Sequence, residues 1–198
     1  MFEKAAVGPQ RVRALQLYGL LFLSAASGCR DTASSLDGVP VSEPIDAGAG
    51  CQTFVADSLI EHACFHERVG PYVEDMAGPA LDAPGIDVNR VHTSFHLRLP
   101  EREGGGYRGV VVYQPPKAGD YAVFLRHGTP RIADQGTTIT PGISHPTEIC
   151  ELLPSVLVFA LQPRRHTIEL ESEQPDVVLV IESLNEGTAA DHYRVDCR

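Results

Sequence analysis

His92-Thr93-Ser94-Phe95-His96-Leu97-Arg98-Leu99 is the stretch on which the fold class turns. Side chains two apart share a face of a strand. Phe95, Leu97 and Leu99 therefore point one way, and His92, Ser94, His96 and Arg98 point the other. Glu103 to Gly106 forms a glycine-rich turn into Tyr107–Tyr113 (YRGVVVY), and Pro115 to Gly119 turns the chain into Asp120–Arg126 (DYAVFLR). Ser155–Leu161, His166–Glu171, Val177–Ile181 and His192–Cys197 continue the pattern. Short alternating or apolar runs between turn residues indicate a β-sandwich. The reading is an all-β chain with a single sandwich over residues 51–198. No helix longer than two turns is expected, and the best short one spans Thr147–Leu153, after Pro146.

Upstream, Lys4, Arg11 and Arg13 precede an apolar run from Leu15 to Ala26, broken only by Gln16, Gly19 and Ser24. About a dozen residues is too short for a spanning helix, which needs roughly 20. The zones are those of an export signal. The run ends in Ala26-Ser27-Gly28-Cys29, which resembles the lipobox of bacterial lipoproteins. The resemblance implies a signal peptide over 1–28 and a lipidated Cys29 that anchors the chain to the membrane. Arg30 gives no inner-membrane retention signal, so the outer membrane is the expected address. Residues 30–50 are rich in Ser, Asp, Gly, Pro and Ala and have no aromatic residue. Such a segment buries too little apolar surface to offset its ordering entropy, so 29–50 reads as a flexible tether.

The net charge is −10 with histidine neutral, and the leader carries +2 (Glu3 against Lys4, Arg11 and Arg13), leaving −12 on the remainder. That balance argues against nucleic acid as a partner. Beyond Cys29 there remain Cys51, Cys64, Cys150 and Cys197, an even number in an oxidising compartment, which suggests two disulfides. Cys51–Cys197 with Cys64–Cys150 is preferred, because it pins both ends of the domain. Cys51–Cys64 with Cys150–Cys197 is nearly as plausible.

The richest chemistry lies in Glu61-His62-Ala63-Cys64-Phe65-His66-Glu67. In an extended chain His62, Cys64 and His66 project to one side. His92 and His96 repeat the same spacing, and two such strands side by side would form a four-histidine patch suited to zinc, copper or nickel. Cys64 is assigned to a disulfide, since using it as a ligand would leave one of the other three unpaired. No G-x-S-x-G, H-E-x-x-H or P-loop occurs, so no enzyme is indicated. Blue copper is disfavoured because Cys150 is not followed by His or Met. Sugar binding, without tryptophan, would fall to Tyr72, Tyr107 and Tyr113.

Two resemblances bear on the domain. Tyr113 to Leu125, with Ala118-Gly119 feeding Tyr121, resembles the Tyr-bearing strand of bacterial pre-peptidase C-terminal domains and related jelly-roll modules. It implies a jelly-roll-like strand order and no activity. Glu61–His66 with Gly70-Pro71, His92-Thr93 and Gly119–Leu125 is similar to exported Gram-negative lipoproteins of unknown function that share these runs. This second resemblance implies that His62, His66 and His92 act together. The expected function is a lipid-anchored envelope binding module, holding a transition metal through His62, His66, His92 and His96. The alternatives are a ligand-free domain docking an envelope protein and a carbohydrate-binding module.

Overall fold

A computed structural model of the chain describes residues 50–197. The expected signal peptide 1–28, the expected lipidation at Cys29 and the expected tether 29–50, Gly50 aside, fall outside the described residues. In chain order the elements are β1 (Cys51–Val55), α1 (Asp57–Val69), β2 (Tyr72–Met76), β3 (Ser94–Arg98), β4 (Tyr107–Tyr113), β5 (Gly119–Arg126) and β6 (Thr129–Asp134). They continue with β7 (Thr137–Ile139), β8 (Ile143–Pro146), β9 (Ser155–Leu161), β10 (His166–Ser172), β11 (Asp176–Ser183), α2 (Ala189–His192) and β12 (Tyr193–Cys197).

Two sheets pack face to face, one ordered β2-β3-β11-β5-β9-β8 and the other β4-β10-β6-β7. Numbered along the chain from β3 to β11, leaving out β8, the central strands fall in the orders 1-8-3-6 and 2-7-4-5. That is the pair of Greek keys of a jelly roll. Strand β2 extends the larger sheet at one edge, parallel to β3, and β8 extends it at the other. Between the sheets lie Phe95, Leu97, Val111, Tyr121, Val123, Leu125, Ile132, Phe159, Ile168, Leu170, Leu179 and their neighbours, all buried. The alternation of residues 92–99 is borne out: Phe95, Leu97 and Leu99 are core.

The sandwich carries a third layer. Strands β5, β9 and β11 are apolar on both faces: Val177, Leu179 and Ile181 of β11 enter the sandwich, while Val178 and Val180 face outward. The outward set, with Ala122, Phe124, Val156 and Val158, is covered by Leu59, Ile60, Ala63 and Cys64 of α1. These helix positions recur at i, i+1, i+4 and i+5, which makes one apolar face. Gly70 ends the helix at φ +84, with its N–H on the carbonyl of His66 at 2.9 Å, and Pro71 follows.

The helix corrects two expectations. It is 13 residues long, where none above two turns was expected, and Thr147–Leu153 forms bends and a turn instead of a helix. The His62-Cys64-His66 segment is accordingly helical, not extended. The outward apolar set on β5, β9 and β11 needed a cover, and tertiary burial overrode the local resemblance to a strand. Disulfides join Cys51 to Cys197 and Cys64 to Cys150. The first closes the β1–β12 ribbon at its open end, and the second fastens the middle of α1 to the loop before β9.

Candidate metal centre

In a helix, residues four apart stand one above the other, so α1 stacks His62 over His66. Their Nε2 atoms are 2.8 Å apart. The Nδ1–H of His66 donates to the carbonyl of Gly70 at 3.4 Å, which leaves its Nε2 lone pair facing His62. On this network His62 donates its Nε2–H to His66. His92 enters from the turn before β3 with φ +52, a left-handed conformation uncommon outside glycine. Such strain gathers at functional positions. The ring centroids of the three histidines are 4.6, 5.2 and 5.1 Å apart, a nearly equilateral triangle.

Beneath them lies Glu182, continuing the outward phase of Val178 and Val180 on β11. Its Oε1 is 3.9 Å from His66 Nε2 and its Oε2 3.7 Å from His92 Nδ1. The four residues each offer one donor atom, and these atoms all lie within 4.8 Å of one another. His62 and His92 are exposed, whereas His66 and Glu182 are buried.

Three buried glutamates make the electrostatics plain. Glu67 (6% exposed) accepts from Ser94 Oγ and from His96 Nε2 at 3.0 Å, and pairs with Arg126 at 3.2 Å. Glu169 (3%) lies between Arg108 and Arg131. Burial pushes its carboxyl up, but the two guanidinium groups hold it below the usual range. Among the described residues Glu182 (4%) has no lysine or arginine beside it, only His66 and His92, and its Oε1 has no hydrogen-bond partner. Burial alone pushes its carboxyl up to about 7. The His62 imidazole is held below the ordinary value by burial and by its neighbours His66 and His92. Burial also lowers His66, against the pull of its bond to Gly70, and His92 lowers it further. His62 and His66 are thus biased toward the neutral form that donates to a metal.

No family model and no curated protein matches this chain. The reading of the site therefore rests on its own geometry.

Three of the four histidines expected to act together do meet: His62, His66 and His92. His96 does not join them. It lies on β3 with the carboxylate of Glu67, and so helps tie α1 to the sheet. The fourth donor is Glu182, which the sequence reading passed over by ending that strand at Ile181. The available signal was a charged residue falling in the phase of Val178 and Val180 within a strand apolar on both faces.

Proposed function

We propose that this protein is a lipid-anchored envelope module that binds one divalent transition metal through His62, His66, His92 and Glu182. The observation carrying the proposal is the convergence of three histidines on a buried carboxylate that has no lysine or arginine partner among the described residues. The dimensions fit an ion. With metal–nitrogen bonds of about 2.05 Å and tetrahedral angles, imidazole centroids lie about 5.2 Å apart. The observed triangle of 4.6, 5.2 and 5.1 Å agrees with that spacing. Ligand nitrogens would stand about 3.3 Å apart, so His62 and His66 need to separate by roughly 0.5 Å from their hydrogen-bonded contact.

An N₃O donor set without thiolate suits Zn²⁺, Cu²⁺ or Ni²⁺ rather than Cu⁺. The disulfide keeps Cys64 out of the ligand set, and Gly70 orients His66 through its second ring nitrogen, as outer partners of metal-bound histidines do. Membrane attachment rests on the leader and Cys29.

The test is elemental mass spectrometry on protein purified without chelator and then equilibrated with zinc. One equivalent is expected, lost in a His62→Ala, His66→Ala double variant and retained in His96→Ala. Equal zinc content in all three would sink the proposal.

A further inference from the structure

Resting on the metal reading above, we propose that the ion keeps an exchangeable coordination position on its solvent side and takes there a carboxylate attached to an apolar group. The donors are graded in depth. Glu182 and His66 form the floor, while His62 and His92 stand at the surface, the His92 side chain 56% exposed. Because four protein donors already account for a tetrahedral shell, the exchangeable position is a fifth one, on the side where the exposed His62 and His92 stand.

The charge selects the ligand. A divalent ion with three neutral imidazoles and one carboxylate retains a charge of about +1, which one further carboxylate neutralises. In the exchange a carboxylate oxygen forms a bond to the metal and a water leaves, with no electron transferred.

The surroundings select what the carboxylate is attached to. Phe65 and Val69 fall three and seven residues after His62, on the same stripe of α1 as His62 and His66. Phe65 also contacts the His66 ring, at 5.8 Å between centroids. Val91 immediately precedes His92 in the turn before β3. Phe65, Val69 and Val91 are 54, 62 and 65% exposed. These exposed apolar side chains, on the two segments that supply His62, His66 and His92, are what the ligand's apolar group would cover.

The test uses the purified chain loaded with cobalt(II), whose visible spectrum reports coordination number. Cobalt uptake is first measured by titration calorimetry, and acetate and benzoate are then titrated separately. Saturable spectral changes are expected with both, with benzoate binding about fivefold tighter because its ring covers apolar surface. A Phe65→Ala, Val91→Ala double variant should bring the two affinities within about twofold while leaving that for acetate unchanged. Cobalt bound stoichiometrically with a spectrum that neither carboxylate moves would overturn the open position and leave the metal reading standing. Equal affinities for acetate and benzoate in the unaltered chain would overturn the apolar wall. Failure to take up cobalt would overturn the metal reading, and this inference with it.

Discussion

Replacing Glu182 by glutamine should stabilise the metal-free protein and weaken its hold on the metal. The folded carboxyl ionises near 7, against an ordinary value of 4.5. At about 1.36 kcal/mol per pH unit, that difference costs the folded state on the order of 3 kcal/mol once the group is ionised in both states. The sign follows from proton counting. Between about pH 4.5 and 7 the folded protein keeps a proton that the unfolded chain has released, so Glu182 lowers stability as pH rises through this window. The loss is complete above pH 7 and absent below 4.5. Glutamine removes the charge but buries an amide whose partners are incomplete, at a cost of about 1 kcal/mol. The expected gain at pH 8 is therefore about 1–3 kcal/mol, with none at pH 4.5. His62 and His66 are lowered and so act in the opposite sense, stabilising above about 6.5 and losing that contribution as pH falls. Both proteins contain them, so the difference isolates Glu182. Urea denaturation of chelator-treated protein at the two pH values reads the effect as a shift in midpoint. Zinc should then narrow or reverse the order, because the unaltered protein gains about 2.7 kcal/mol at one hundred times its Kd and the variant gains less. A variant less stable than its parent at pH 8 would refute the claim that this carboxylate lacks adequate partners.

Further consequences follow from the same geometry. Zinc affinity should fall as pH drops below about 7, first because Glu182 regains its proton and then as His62 and His66, both held below the ordinary value, protonate; competition with a chromophoric chelator between pH 5.5 and 8 measures this. Glu67→Ala removes the carboxylate shared by Ser94, His96 and Arg126, and should cost about 3 kcal/mol in denaturant unfolding. Replacing Cys64 and Cys150 by serine opens a crosslink across 86 residues and should cost about 2–5 kcal/mol in the same assay, with weaker zinc binding as α1 loosens. Phe124→Ala, under the helix, should cost about 3–5 kcal/mol by leaving a cavity in the second core.

The sandwich was legible in the sequence because its strands obey a two-residue period wherever one face meets the core, as Phe95, Leu97 and Leu99 do. The cysteines were legible as well, since a pairing that pins the ends of the domain is the one the structure contains. The helix was not. Asp57–Val69 has an apolar stripe at Leu59, Ile60, Ala63 and Cys64 and a stop at Gly70-Pro71, but the spacing of His62, Cys64 and His66 also satisfies a strand. Arbitration came from outside the segment, from Ala122, Phe124, Val156, Val158, Val178 and Val180, which need cover on a face the sequence does not label. Once the segment is helical, the two histidines draw together and His92 arrives through a left-handed turn that no spacing rule anticipates. Glu182 joins them through tertiary placement alone, 90 residues downstream of His92.

The most direct measurement of the central claim is X-ray absorption at the zinc edge on protein loaded with one equivalent of zinc. The account predicts a first shell of nitrogen and oxygen at about 2.0–2.1 Å, with outer-shell scattering from three imidazoles. Replacing His92 with alanine should reduce these to two. A spectrum of hydrated zinc with no imidazole scattering, or one unchanged by loss of His92, would contradict it.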